Sequence, residues 1–366
     1  MIITKIETFP LRIPFKPGNK SAPAAWGDKD LPAADSLLVK VTTDEGIEGW
    51  GEAFGFRAVS SVKLSVDELI APLCIGKDAT RIGPLMYDVQ EKMHIFGRAG
   101  PLFYGLSAVD IALWDIAGKA ANAPVSRLLG GGVADLRCYA SLERFVDPAL
   151  VRAEVRKTLD AGFRSVKLHE FGVDEVRAAR EEAGPDVEIM LDVNSAWTLN
   201  EARATAEQFL PFHLKWLEEP LWPPENYGGL AQLRRTVGVP LAAGENVSTL
   251  MEFDRLLAAE AVDFVQPSVA KMGGITEQCK VFPIAAVHNV ALMPHTFYEG
   301  PGLLATIHVL AALGTPDAMI EWRVFDLEKH IYRSFAPENG RISVPQGPGL
   351  GMDPDPDVIR AYLRAS

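Results

Sequence analysis

From about residue 137 the chain repeats one unit, a short apolar segment followed by a loop and an amphipathic helical pattern. The apolar segments are RCYASL (137–142), SVKLHE (165–170), EIMLDVN (188–194), LKWLEEP (214–220), PLAAGEN (240–246), FVQPSVA (264–270), VALMPHTF (290–297) and AMIEWR (318–323). Eight strands with helices between them predict a closed parallel α/β barrel. A doubly wound open sheet would show the same alternation, and only the number of units argues against it.

The first third of the chain has a different pattern. ITKIETFPLRIPF and SLLVKVTTDEGIEGWGEA alternate like antiparallel strands, and YGLSAVDIALWDIAGKAANA is typical of a helix. We therefore predict an α+β domain over residues 1–132 and a barrel over 133–325. Residues 326–366, rich in Pro and Gly, are expected to pack on the first domain.

Composition argues against several partners. The formal charge is −12 and the pI about 5.2, so no basic surface is available for a nucleic-acid backbone. The three cysteines lie far apart and indicate neither disulfides nor a thiolate metal site. The start of the chain lacks the pattern of a signal peptide, and no apolar run has the length of a membrane span. These features predict a cytoplasmic protein without a membrane partner.

Three successive predicted strands carry an acid near their carboxyl ends. Asp192, Glu218 and Glu245 are separated by 26 and 27 residues, about one strand–helix unit each. In a barrel they would lie side by side at the carboxyl ends of the strands, where barrel enzymes place their active sites. Any one acid alone is better explained as a helix cap. Three in register, with only oxygen ligands, favour a hard cation, and Mg²⁺ fits best.

Basic groups are predicted on both sides of this cluster. Lys167 and His169 share one face of the second strand because side chains alternate along a strand. His295 and Glu321 end the seventh and eighth strands. A cation flanked by bases suits removal of the proton next to a carboxylate, through an enediolate. We expect cationic surroundings to depress the pKa of Lys167 and of His169, so that either could be the base.

The sequence resembles the enolase superfamily, within its mandelate racemase and muconate lactonizing branch. The resemblance lies in SAVDIALWDIAGKAANAPVSRLLGG, in LDVN, LEEP and GEN, in KMGG, MPHTF and GPGLG, and it covers nearly the whole chain. It implies a (β/α)7β modified TIM barrel with an N-terminal α+β capping domain, and Mg²⁺ held by the three acids. It also implies a homo-oligomer and a site closed by loops of the first domain, around residues 15–30 with Trp26 and at 51–56.

Two positions depart from the family pattern. Members commonly end the second strand with Lys-x-Lys, whereas this chain has His169 in the second place. Mandelate racemase-like members pair the seventh-strand histidine with an Asp on strand six, and the lactonizing branch places a Lys there. Ser268 matches neither pattern. Without a carboxylate partner, His295 is expected to donate a proton or a hydrogen bond rather than to act as a strong base.

Other polar residues are expected to bind substrate or to support these groups. They are Asn194, Glu219, Lys271, Glu321 and Arg144, with Ser268 and Trp26. The first hypothesis is a Mg²⁺-dependent lyase that dehydrates a small hydroxy acid or sugar acid, with His295 as general acid. The alternatives are a racemase, epimerase or cycloisomerase of the same superfamily, and a metal-binding pseudoenzyme. The remaining histidines, such as His308, are interpreted as structural.

Overall fold

A computed structural model describes residues 1–16, 33–324 and 326–364. The chain begins with a three-stranded antiparallel sheet of β1 (Ile3–Pro14), β2 (Ala33–Thr43) and β3 (Glu48–Ala53), with β2 in the middle. Gly46 turns the chain between β2 and β3 with a φ of 77°, a conformation that glycine adopts without strain.

Helices follow this sheet along the chain. They are α1 (Val59–Leu64), which continues as a π-helical segment (Ser65–Ile70), α2 (Ala71–Cys74), α3 (Ile82–Lys92), α4 (Pro101–Ala120) and α5 (Val125–Leu128). Helix α4 lies directly on β3, because a Cβ atom on Gly49 or Gly51 would come within 2.1 or 1.8 Å of a carbonyl oxygen of α4. The glycines of EGWGEA thus allow the helix to approach the sheet.

The second part of the chain is a barrel. Its strands are β4 (Asp135–Ser141), β5 (Ser165–Leu168), β6 (Glu188–Asp192), β7 (Trp216–Glu218), β8 (Leu241–Ala243), β9 (Phe264–Val265), β10 (Ala291–Leu292) and β11 (Met319–Arg323). The helices between them are α6 (Pro148–Asp160), α7 (Val173–Ala183), α8 (Leu199–Phe209), α9 (Tyr227–Thr236), α10 (Leu250–Ala258), α11 (Ile275–Val287) and α12 (Pro301–Leu313).

The strands are parallel and run in the order β10-β9-β8-β7-β6-β5-β4-β11. The amide of Thr296, after β10, donates to Glu321 Oε2 in β11 at 2.8 Å. This hydrogen bond links the first and last strands of the order. The predicted (β/α)7β barrel with an N-terminal α+β capping domain is confirmed.

Local sequence and packing explain these elements. Thr198 with Glu201, and Thr249 with Glu252, form capping boxes that begin α8 and α10. Inside the barrel one apolar layer fills the space below the carboxyl ends of the strands. Its members come from most of the strands: Tyr139, Met190, Trp216, Ala242, Met293 and Met319, with Phe264 packed against them.

The last part of the chain contacts both domains. Strand β12 (Arg341–Ser343) pairs antiparallel with β4, and helix α13 (Pro356–Tyr362) follows. The amide of Arg364 donates to the carbonyl of Pro10 in β1 at 2.8 Å. Within the described ranges, no helix has both the length and the apolar character that a membrane crossing requires.

Candidate active site

Three carboxylates converge at the carboxyl ends of neighbouring strands. Asp192 and Glu218 are the last residues of β6 and β7 and lie opposite each other in the ladder, and Glu245 follows β8 by two residues. One oxygen from each lies within 4.8 Å of the other two. Asp192 and Glu218 are fully buried, whereas the Glu245 side chain is 13% exposed. Three acids this close repel one another unless a positive charge lies among them.

The neighbours of these three acids shift their pKa values in different directions. Burial raises the pKa of Glu218 to about 7, and the charges of Asp192 and Glu321 act in the same direction. Burial also acts to raise the pKa of Asp192, but the charge of Lys167 and a hydrogen bond from His169 outweigh it and the pKa is lowered. The pKa of Glu245 is held well below its usual value, since His295 and Lys271 outweigh burial.

Lys167 lies at the centre of the acids. Its Nζ is 2.8 Å from Glu218 Oε1, 2.8 Å from Glu321 Oε1 and 3.5 Å from Asp192 Oδ2, and its side chain is 1% exposed. Burial acts to lower the pKa of Lys167, but Glu218 and Glu321 outweigh it and hold the pKa well above the usual value. The protein groups around Lys167 are carboxylates and raise its pKa, whereas the expected depression depended on a bound cation.

His169 follows β5 by one residue and is the more accessible base, with a side chain that is 17% exposed. Its Nδ1 lies 2.6 Å from the carbonyl of Leu142, and its Nε2 lies 3.3 Å from Asp192 Oδ2. Burial acts to lower the pKa of His169, but Asp192 outweighs it and the pKa is raised. Here too a carboxylate of the protein raises the pKa, whereas the expected depression depended on a bound cation.

His295 lies on the other side of the acids, three residues beyond β10. Its Nε2 is 2.9 Å from Glu245 Oε2, and its Nδ1 is 3.2 Å from Ser268 Oγ. Glu321 lies inside β11 rather than at its end, forms an ion pair with Lys167 and accepts from the Thr296 amide. The two histidines thus contact different acids of the cluster.

A buried polar chain extends from Glu245 to Glu219. Lys271 Nζ lies 3.4 Å from Glu245 Oε1 and donates to Asn246 Oδ1 at 2.9 Å. The amide nitrogen of Asn246 in turn donates to both oxygens of Glu219, at 2.9 and 3.0 Å. Lys271 also lies 4.6 Å from the ring centre of Phe54, so the 51–56 segment of the capping domain reaches this chain.

The other predicted residues differ in their relation to the cluster. The backbone amide of Asn194 donates to Asp192 Oδ1 at 2.9 Å, with a left-handed φ of 45°. The Arg144 guanidinium stacks 4.3 Å over the ring of Phe171. Trp26 lies outside the described residues.

A cavity lies between the capping domain and the barrel. Phe54, Phe297, Glu299 and Arg323 are among its lining residues. Phe297 also stacks on His295, with ring centres 6.1 Å apart, but His295 itself does not line the cavity. Arg323 lies 3.4 Å over the Phe297 ring and adds a cation to the wall.

Three polar contacts of this site were not predicted from the sequence. Trp216 Nε1 donates to Glu218 Oε2 at 2.8 Å, Asn246 bridges Glu219 and Lys271, and Tyr298 bonds Ser268. Strand alternation could have identified Trp216, since it lies two residues before Glu218, and Asn246 directly follows Glu245. Tyr298 lies in an irregular loop, where no periodicity indicates the direction of a side chain.

The fold and the site define the class of protein: the chain belongs to the enolase superfamily, in its mandelate racemase and muconate lactonizing enzyme family. Residues 150–358 match the family described as Enolase C-terminal domain-like, and residues 14–130 match Mandelate racemase / muconate lactonizing enzyme, N-terminal domain.

Similar proteins catalyse three kinds of reaction. Arabinonate dehydratase of Saccharolobus solfataricus is 32% identical over 337 residues, which cover 89% of this chain and 90% of that protein. The 3,6-anhydro-D-galactonate cycloisomerase of Zobellia galactanivorans has a TM-score of 0.86 and 32% identity, with 100% of both chains covered. A racemase of Streptomyces coelicolor A3(2), solved with bound magnesium, has a TM-score of 0.90 and 28% identity, with 99% of this chain and 100% of that chain covered.

Proposed function

We propose that the protein is a Mg²⁺-dependent lyase that removes the α-proton of a small sugar acid or related hydroxy acid and expels the β-hydroxyl. The main support for this proposal is the convergence of three carboxylates within 4.8 Å of one another. His169 contacts one of them, Asp192, and His295 contacts another, Glu245. The dehydratase among the similar proteins supports a sugar acid as the substrate.

Asp192, Glu218 and Glu245 would hold the cation. The donor set fits Mg²⁺, because it consists of carboxylate oxygens and the site is largely buried. A bound Mg²⁺ would relieve the repulsion among the acids and stabilise the negative charge that develops on the substrate carboxylate.

His169 is the proposed base. Its Nδ1 faces the carbonyl of Leu142, which only accepts hydrogen bonds, so Nδ1 carries a hydrogen and Nε2 is the atom that exchanges a proton. The partial exposure of the side chain leaves this atom within reach of a substrate. The proton that His169 would exchange at Nε2 would lie beside Asp192, whose Oδ2 is 3.3 Å away.

Lys167 is assigned an electrostatic role. It is buried and contacts three carboxylates, so its ammonium group helps to keep these acids ionised beside one another. Its contacts with Glu218 and Glu321 would have to break before its nitrogen could take a proton from a substrate.

His295 is the proposed general acid. Its Nε2 faces Glu245 from the side of the cluster away from His169, and its ring stacks on Phe297. A proton delivered from this side would leave with the β-hydroxyl as water. Lys271 and Glu219 would hold Glu245 and Asn246 in place through their hydrogen-bond chain.

Racemisation or cycloisomerisation is the second candidate. The observation that favours it is the presence of a histidine on each side of the acids, since two such groups could exchange protons on opposite faces of one carbon. The cycloisomerase and the racemase among the similar structures agree with this alternative.

Incubation with Mg²⁺ and a panel of sugar acids in deuterated water tests the proposal. A dehydratase produces a keto acid, whereas a racemase or epimerase produces only deuterated starting material or its epimer. We expect the keto acid from at least one acid of the panel. Absence of both product and deuterium with every acid would contradict the proposal and its alternative.

A further inference from the structure

Three hydrogen bonds connect the ring of His295 with its own backbone carbonyl through two hydroxyl groups. His295 Nδ1 lies 3.2 Å from Ser268 Oγ, and Ser268 Oγ lies 3.2 Å from the hydroxyl of Tyr298. The Tyr298 hydroxyl donates to the His295 carbonyl at 3.0 Å. All three side chains are buried, with residue exposures of 3% for His295, 0% for Ser268 and 6% for Tyr298.

All three hydrogen bonds of this closed chain can form with only one assignment of donors and acceptors. Tyr298 has one hydroxyl hydrogen, which goes to the carbonyl of His295, so the Tyr298 oxygen accepts from Ser268. The Ser268 oxygen has then used its own hydrogen and accepts from Nδ1–H of His295. These three hydrogen bonds therefore keep a hydrogen on Nδ1 and direct Nε2 of His295 to Glu245, 2.9 Å away.

We propose that Tyr298 is a positioning residue that acts through Ser268 to fix the tautomer and the orientation of His295. A pair of neutral hydroxyl groups here takes the place that a carboxylate has beside the histidine in mandelate racemase-like proteins. This inference rests on the proposed function, because it assigns Tyr298 to the step in which His295 delivers a proton. The base on the other side of the site, His169, does not contact this ring of hydrogen bonds among the described residues.

The substitution Tyr298→Phe tests the inference, because it removes the hydroxyl and keeps the ring that packs in the core. Tyr332→Phe is the matched control. Tyr332 is also buried, belongs to the same hydrophobic cluster, and its hydroxyl has no hydrogen-bond partner among the described residues. Ser268→Ala breaks the same ring of hydrogen bonds and leaves Tyr298 unchanged. It tests the inference if Tyr298→Phe does not fold.

The measurement is the ratio of deuterium uptake at the α-carbon of recovered substrate to keto-acid formation, for an acid that the parent dehydrates in deuterated water with Mg²⁺. A poorly oriented His295 slows the loss of the β-hydroxyl but leaves exchange of the α-proton by His169 intact. We expect kcat for dehydration to fall about 10-fold in Tyr298→Phe, less than the loss of an entire general acid costs. KM should stay within about 3-fold, since the hydroxyl is not proposed to touch substrate.

The exchange-to-dehydration ratio should therefore rise about 10-fold in Tyr298→Phe and in Ser268→Ala, and the double variant should be no worse than either, since both changes break one ring. Tyr332→Phe should match the parent. An unchanged ratio, or costs that add in the double variant, would overturn the inference. A parent that shows neither exchange nor product would contradict the proposed function instead.

Discussion

At the scale of single residues, Lys167 and His169 show how two neighbouring basic groups come to differ. Strand alternation directs both toward the acids, but Lys167 lies inside β5 and contacts three carboxylates, whereas His169 lies beyond the strand. The sequence could therefore predict that both point to the cluster. It could not predict which one is enclosed, because enclosure depends on Glu321, which is distant in sequence from both.

The assignment of His169 as base makes a prediction for His169→Asn. Asparagine keeps a donor to the Leu142 carbonyl but lacks the group that takes the proton. We expect the rate of α-deuterium exchange and kcat to fall about 100-fold or more, with Mg²⁺ affinity nearly unchanged. Steady-state kinetics and calorimetry check both quantities.

His94→Asn is the control, because His94 Nδ1 also lies 2.7 Å from a backbone carbonyl but the residue is exposed. Parent-like exchange in His169→Asn would assign the base to Lys167 or to another group.

Trp216 gives a second prediction at this scale. Its indole nitrogen donates to Glu218 Oε2, and partners of this kind orient a metal-binding carboxylate. We expect Trp216→Phe to weaken Mg²⁺ binding about 10-fold, measured by calorimetry.

Trp114→Phe is the matched control, because it also removes an indole hydrogen bond, to Thr276 Oγ1 at 2.9 Å. Equal Mg²⁺ affinities in the parent and in Trp216→Phe would show that this hydrogen bond does not support the site.

At the scale of elements, strand β3 of the capping domain holds the start of a barrel helix. Glu52 Oε2 accepts from the amides of Gly300 and Gly302 at the start of α12, at 2.8 and 3.0 Å, and its Oε1 accepts from Ser36 Oγ at 2.7 Å. The loop that precedes α12 carries His295. One buried carboxyl thus fixes the position of this loop relative to the capping domain.

This contact predicts a pH dependence of stability. Burial raises the pKa of Glu52 to about 7 from 4.5. Between these values the folded protein binds more protons at Glu52 than the unfolded chain does, so its contribution to stability is complete below pH 4.5 and is lost as pH rises through 7. At about 1.4 kcal/mol per pKa unit, we expect Glu52→Gln to gain about 3 kcal/mol relative to the parent over this range.

Urea unfolding of both proteins at several pH values measures this difference. Glu48→Gln, an exposed substitution on the same strand, should show no such trend. A stability difference between Glu52→Gln and the parent that does not change with pH would contradict the raised pKa.

The boundaries of the elements were harder to predict than their order. The pattern predicted eight strands, but β9 and β10 have only two residues each, and the segments that continue them are irregular. Ser268 and His295 lie in those irregular segments, where alternation no longer determines direction. Their contact, and the participation of Tyr298, follow from tertiary packing.

At the scale of the whole molecule, the site depends on the closure of the barrel and on its cap. The acids come from three strand ends, His295 from a fourth, and Phe54 of the capping domain covers Lys271. The spacing of the acids along the chain was enough to predict their convergence, because parallel strands bring their carboxyl ends to one face. The sequence could predict only that the 51–56 region closes the site. It could not predict that Phe54 contacts Lys271, since nothing local relates a capping loop to one lysine.

Calorimetric titration with Mg²⁺ tests the central claim most directly. We predict that the parent binds one ion per chain and that Glu245→Gln weakens this binding at least about 100-fold, because it removes one of three charged ligands. Glu188→Gln, at the opposite end of β6, should bind like the parent. No detectable Mg²⁺ uptake by the parent, or equal uptake by Glu245→Gln, would contradict the account.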